Sequence, residues 1–346
     1  VRLSRHGPVI SDVAKSAADA TPRGYALAFS WTALAEDDET MHAAIGMGRA
    51  KNWQDFLAAA SHFNAPQQNM LYADVEGNIG FVAAGRVPVR KKENDLRGLA
   101  PAPGWLARYD WEGYIPFTEL PQSYNPASGR LWTANERIVP PGYAHFITSE
   151  WQPPYRSNRI DSLLEAKPKH DLASFARMHS DALSQAMLDA LPALLATVPR
   201  SEPARRALDM LSHWKGEMRR DAAEPLIISA WWRELTRRIY ADELGKAFQG
   251  NWQPRVRFML NVLSDRDGQS RWCDDIHTPG TEDCAQQLAL SLESALADLR
   301  RRYGEDMTAW RWGEAHRARH EHRPLGRQPL LARVFDISVP SAGDAY

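Results

Sequence analysis

The stretch YADVEGNIGF, residues 72–81, decides how this chain is read. Its halves extend to NMLYADV upstream and NIGFVAAGRV downstream, apolar and aromatic runs of strand character. Glu76-Gly77 lies between them, and glycine reaches the positive φ that a tight turn demands, so the stretch predicts a β-hairpin. Toward the N-terminus, residues 38–63 take helical spacing, with Phe56 and Leu57 three and four positions after Trp53. SRHGPVIS and YALAFSWTAL are apolar, β-branched or aromatic runs bounded by turn residues, and both read as strands. Toward the C-terminus, residues 88–129 are rich in Pro, Gly and Trp without periodicity and read as a long ordered loop over the sheet. A strand over residues 130–134 is then expected to lead to Asn135. Pro140, Pro141, Pro153 and Pro154 predict an extended path from there to Arg156.

Beyond Arg156 the pattern changes. From Ser157 to about Tyr303, apolar residues fall at three- and four-residue spacing, with Arg and Glu opposite. RIDSLLEA, LDALPALLATV, RRALDMLSHW, PLIISAWWRELTRRIYADEL and CAQQLALSLESALADLRRRYG are the clearest cases, and together they predict a helical lobe. Residues 334–339 return to a short β-like pattern. The 346 residues are 44% hydrophobic and 25% charged, an ordinary globular balance with room for a large core or two lobes. A formal net charge of −1 gives no electrostatic case for nucleic acid or an anionic membrane as partner. No apolar run of about 18 residues appears, so no helical membrane span is expected. Thirteen Trp read as core packing, with an aromatic-lined ligand cleft as the alternative. The chain opens at Val1 and ends SAGDAY, with neither an initiating Met nor a leader, and the expectation is an interior fragment of a longer protein.

Several side chains are candidates for chemistry. The Asn135 carboxamide can donate to a developing oxyanion, although Asn also serves simply to cap turns at strand ends. Arg156 follows WQPPY, where a constrained guanidinium can bind a carbonyl or carboxylate; the alternative is a salt bridge to Asp161 or Glu150. In HRARHEH, His316 and His320 stand four apart, which would place both on one helix face. Arg317, Arg319 and Arg323 would repel a cation there, so no metal site is assigned. The chain contains no GxSxG elbow and no Walker loop, and GNIG at 77–80 is too short for a dinucleotide fingerprint. Cys273 and Cys284 bracket the polar loop DDIHTPGTED. An even pair around one turn suggests a disulfide, and hence an oxidising compartment such as a periplasm, with two reduced thiols as the alternative. Closing such a loop stabilises a fold by roughly 2–3 kcal/mol.

An ordered series of motifs then carries a resemblance. RHGPVI at 5–10, AKNWQDF at 50–56, YADVEGNIGF at 72–81, WEGYIPFTELP at 111–121, SYNPASGRLWTANER at 123–137 and EWQPPYRSNRI at 150–160 fit in sequence, as do HWKGEM at 213–218 and WRWGEAH at 310–316. Across nearly the whole chain this resembles the β-subunit of penicillin acylases and acyl-homoserine-lactone acylases, the N-terminal-nucleophile amidohydrolases.

The resemblance implies an α+β fold, a partial αββα sandwich with a large helical lobe. Residues 1–156 would form the strand-rich part of the core, 157–325 the helical lobe, and 326–346 the start of a return to the sheet core. It implies a precursor cut autocatalytically into two chains, so that the α-subunit is the expected partner and an N-acylated small molecule the expected substrate. A Ser at the new N-terminus attacks the amide carbonyl, its own amine acting as base. Asn135 matches the family's oxyanion-binding amide, and Arg156 the Arg that holds the nucleophile's surroundings. Val1 is not the nucleophile, so this chain alone is expected to be inactive. Relatives that bind calcium carry a carboxylate near the stretch equivalent to 143–146; here it reads YAHF, and no cofactor is expected. Gln68 and Ala44 match wall positions of the acyl pocket, and the small Ala44 leaves volume for a longer aliphatic chain. A Trp-rich, non-catalytic binder on the same scaffold is the competing reading.

Overall fold

The structure is a computed structural model describing residues 1–249 and 255–344. Residues 250–254, within the expected helical lobe, and 345–346, at the end of the expected return to the sheet, lie outside the described residues. The chain divides into two units, Val1–Ser157 and Asn158–Tyr346.

The first unit runs β1 (Leu3–Ser4), β2 (Gly7–Pro8), α1 (Lys15–Asp19), α2 (Thr40–Met47), α3 (Trp53–Ala60), β3 (Gln68–Ala73), β4 (Ile79–Ala84), β5 (Pro88–Arg90), β6 (Trp111–Tyr114) and β7 (Gln122–Tyr124). It ends in the first turn of α4 (Tyr155–Glu165). β3 and β4 form the hairpin read from the sequence, with Leu71 opposite Phe81 and Tyr72 opposite Gly80. Asp74 builds its turn. One carboxylate oxygen accepts the N–H groups of Glu76 at 3.0 Å and Asn78 at 2.9 Å. The other accepts the Tyr72 hydroxyl at 2.9 Å and the Asn78 amide at 2.8 Å. These bonds favour the ionised form, so the Asp74 carboxyl is held below the usual carboxylate range. Gly77 takes φ +90° to close the loop.

β7 adds to β4 as the third strand of the sheet, and the side-chain amide of Asn125 accepts the N–H of Ile79 at 2.9 Å. The side chain of Asn52 caps α3 by accepting the Asp55 N–H at 2.8 Å, which starts the helix that carries Trp53 onto the sheet. Trp53 lies directly over Gly80: a Cβ on that glycine would come within 2.5 Å of the indole. Trp53 also stacks on Tyr124 and Phe56 and forms a core with Ala60, Val82 and Ala84. A second small core joins Val87, Ile115 and Leu120.

Four expectations fail in this unit, for a common reason: a strand is defined by a partner, not by its own composition. YALAFSWTAL forms a single bridge, Val9 to Ala28, and then a 3-10 turn at Thr32–Leu34, with Tyr25, Phe29 and Trp31 exposed. SRHGPVIS yields only the two-residue strands β1 and β2, which fold back on each other. Residues 88–129 are not a loop, because β5 pairs with β6 and β7 completes the sheet. No strand spans 130–134 either.

The second unit continues α4 and adds α5 (Leu172–His179), α6 (Gln185–Leu195), α7 (Glu202–His213), α8 (Glu224–Leu244), α9 (Val256–Leu263), α10 (Cys284–Tyr303), α11 (Trp312–Ala315), β8 (Arg317–His320), α12 (Pro329–Phe335) and β9 (Ile337–Pro340). Its helical character is as the periodicity predicts. α8 and α10 pack along their length, burying Ile227, Trp231, Leu235 and Ile239 with Leu292 and Leu296. The Trp231 indole N–H, which would be costly to bury unpaired, donates to the Ser291 hydroxyl at 3.0 Å. Cys273 and Cys284 are joined, with Cα atoms 5.0 Å apart, at the start of α10. The return to β structure near the C-terminus is β9, which pairs with β8; the expected β-like stretch begins inside α12. HRARHEH is therefore strand, not helix. His316 and His320 do not share a helix face, and the His316 ring stacks on Trp312 and donates to the Ser341 carbonyl at 3.0 Å.

Candidate active site

The segment carrying Asn135 is irregular in secondary structure but tied on several sides, all within the first unit. The Asn69 amide of β3 donates to the Thr133 hydroxyl at 2.7 Å. The Trp132 indole donates to the Ser157 hydroxyl on the first turn of α4 at 3.0 Å. The Ala134 N–H, which a strand would have used in its ladder, instead donates to the Glu136 carboxylate at 2.6 Å. The Asn135 carbonyl accepts the N–H of Gln152 at 3.0 Å, which closes the Pro-rich loop back on its own start. Asn135 sits at φ +67°, in the left-handed region that Asn tolerates better than most residues.

Arg156 is the centre of this frame. Its guanidinium donates to the Ala134 carbonyl at 2.7 Å and to the Asn135 Oδ1 at 3.0 Å. A guanidinium only donates, so the Asn135 atom facing it must be the oxygen. The two ends of a carboxamide are chemically opposite, and fixing the oxygen on Arg156 directs the Nδ2 hydrogens away from it. Both side chains are exposed, so the outward NH2 is accessible. The arrangement presents an oriented hydrogen-bond donor, backed by a permanent cation at the positive end of a helix. That is the electrostatic requirement for holding an oxyanion.

The structure thus brings Asn135 and Arg156 together but changes how each is carried. Asn135 stands in a left-handed turn and not at a strand tip. Arg156 lies on α4 and not on a loop, and its guanidinium is engaged by Asn135 and Ala134. Gln68 is the exposed first residue of β3, opposite Ala84 and next to the Asn69 that ties down Thr133. Ala44 is exposed on α2. Trp132, Asn69 and Ser157 are the frame residues that sequence reasoning missed. The signal available was the LWTANER motif itself, in which Trp132 and Thr133 precede the amide.

The 143–146 stretch, where relatives that bind calcium carry a carboxylate, is tied to Glu119 and lies against two arginines. Tyr143 donates to the Glu119 carbonyl at 2.8 Å, and His145 binds the Glu119 carboxylate at 2.6 Å. Phe146 lies against the guanidinium groups of Arg90 and Arg97, at 6.0 and 5.1 Å. Two guanidinium cations against Phe146, in a stretch that offers no carboxylate of its own, oppose a further cation.

The architecture is that of the N-terminal-nucleophile acylases. The fold matches the thermostable penicillin G acylase from Alcaligenes faecalis with a TM-score of 0.70, covering 99% of this chain and 65% of that one at 20% identity. The penicillin amidase family model matches residues 1–346, and the chain belongs to that family. It is 34% identical over 342 residues to the acyl-homoserine lactone acylase QuiP of Pseudomonas aeruginosa, covering 91% of this chain and 40% of the relative. It is 31% identical over 351 residues to the penicillin acylase 2 proenzyme of Pseudomonas sp. strain SE83, covering 99% of this chain and 42% of the relative. The chain therefore spans about two fifths of the length of these curated relatives.

Proposed function

We propose that this chain supplies the oxyanion-binding amide of an amidohydrolase that cleaves N-acylated small molecules. The observation that carries the reading is the Arg156–Asn135 bond, which fixes the amide oxygen inward and leaves Nδ2 to donate. A serine at the N-terminus of a processed chain, contributed by polypeptide outside these residues, attacks the amide carbonyl with its own amine as base. As the carbonyl oxygen becomes an alkoxide, the Asn135 NH2 and a backbone N–H stabilise it. The C–N bond then breaks, the amine leaves with a proton, and water releases the acyl group from the serine. Arg156 touches no reacting atom in this scheme; it is a positioning residue acting through Asn135. No cofactor takes part. The partner is an α-subunit cut from the same precursor, and these residues alone do not turn over.

The names of the relatives, acyl-homoserine lactone acylases and penicillin acylases, support an acyl amide as the substrate class. Gln68 and the small Ala44 favour aliphatic acyl groups over arylacetyl ones. The Cys273–Cys284 link suits an oxidising compartment, and the periplasm is the proposed location. The competing binder reading rests on the Trp content. Trp53, Trp214, Trp231, Trp232 and Trp310 are buried as core, which removes much of its basis.

The test is the full-length protein assayed against linear acyl amides of increasing chain length. Acyl transfer to water with a preference for aliphatic chains is expected. Failure to hydrolyse any member of the series, with the protein correctly processed and folded, overturns the proposal.

A further inference from the structure

A cluster of metal-binding side chains lies at the α2–α3 helix pair. Glu39 immediately precedes α2, His42 lies in its first turn, and His62 follows α3. One ligand atom from each of the three falls within 4.8 Å of the other two. The His62 Nδ1 is 2.7 Å from the Glu39 carboxylate, and the two imidazoles stack with centroids 5.1 Å apart. The base is fixed, because Gly46 lets α2 approach α3 until an added Cβ would stand 2.9 Å from that of Ala59.

From this geometry we propose that Glu39, His42 and His62 form a site for a divalent transition metal of zinc type. Two neutral imidazoles and one carboxylate are a borderline-soft donor set that suits zinc and disfavours calcium or magnesium. The surrounding charge agrees. Asp37, Asp38 and Glu39 are consecutive acidic residues, and the nearby Arg86 guanidinium is already bound by Asp37 at 2.6 and 2.9 Å. Metal takes the place of the direct His62–Glu39 contact, and water completes the coordination shell because all three residues are exposed. The site pins the end of α3 to the start of α2.

The experiment is a zinc titration of the untagged, metal-free full chain by calorimetry, with cobalt(II) absorption as a second readout. One equivalent per chain is expected, with a tetrahedral-type cobalt spectrum. His42→Ala and His62→Ala are exposed changes that keep the helices; each should weaken uptake by about tenfold or more, since even outer-shell partners of a metal matter that much. His320→Ala, in the basic histidine segment, should change nothing. No stoichiometric uptake, or uptake that survives the His42→Ala/His62→Ala double variant, overturns the site.

Discussion

Replacing Asn135 by glycine isolates the donor role from the backbone role. The residue sits at φ +67°, so Asn135→Ala would mix loss of the amide with left-handed strain of about 1–2 kcal/mol. Glycine takes that conformation freely and removes only the side chain. Loss of one oxyanion donor costs about 3–4 kcal/mol of transition-state stabilisation, a fall of about 10²–10³ in kcat, with KM little changed. Arg156→Met in the same protein should cost less, about 1.5–3 kcal/mol, because the amide remains but loses the charged bond that orients it. The double variant decides the argument. If Arg156 acts through Asn135, removing both should be no worse than Asn135→Gly alone, a strongly non-additive cycle. Asn135→Asp keeps the shape and the tolerance for positive φ but turns a carboxylate toward the oxyanion, so it should fall below Asn135→Gly. The assay is single-turnover release of a chromogenic amine from an acyl anilide by the full-length enzyme, with thermal unfolding as a control for folding. Turnover of Asn135→Gly within threefold of the parent, or additive losses in the cycle, would refute the oxyanion assignment.

Three further outcomes follow from the packing and the charges. Gly80→Ala drives a methyl into the Trp53 indole and should destabilise the protein by about 1–3 kcal/mol in urea unfolding, whereas Gly77, open on all sides, would register only its positive-φ strain. Burial, and then the adjacent Asp242 carboxyl, push Glu243 up to about 8. The folded state then holds a proton that the unfolded state releases near pH 4.5, so stability falls as pH rises from there to about 8. Glu243→Gln should accordingly raise Tm at pH 8 and lose that advantage near pH 5; equal effects at both pH values would remove the linkage. Cys273 and Cys284 should resist thiol labelling in folded protein until reduced, and reduction should cost roughly 2–3 kcal/mol for so short a loop; immediate labelling would count against the bond in solution.

What the sequence made legible was what is locally determined. The β3–β4 hairpin was readable because its turn is built from its own residues, Asp74, Gly77 and Asn78. The helices of the second unit were readable because one face of each repeats at helical spacing. β5, β6 and β7 were not, since their pairing partners lie far along the chain and nothing local marks them. YALAFSWTAL failed in the opposite sense, with strand composition but almost no partner. At the site, residue types were legible and geometry was not. Pro153 and Pro154 predict an extended chain, yet proline is equally at home just before a helix, and α4 begins at Tyr155.

That misplacement changes the physics of the site. On a mobile loop, Arg156 would lose much side-chain entropy for each bond it formed. On the first turn of α4 its backbone is already ordered, and Ser157 beside it holds Trp132, so the helix and the amide segment fix each other. The left-handed backbone at Asn135 narrows the choice of residue further. Few side chains accept positive φ, and of those Asn alone places a neutral acceptor toward Arg156 and a donor away from it. Glycine would satisfy the backbone and aspartate the guanidinium, but only the carboxamide satisfies both and still faces an anion with hydrogens. On the proposed function, the turn role and the oxyanion role are therefore two demands placed on one residue, and the strength of the second depends on how firmly Arg156 keeps the amide from flipping.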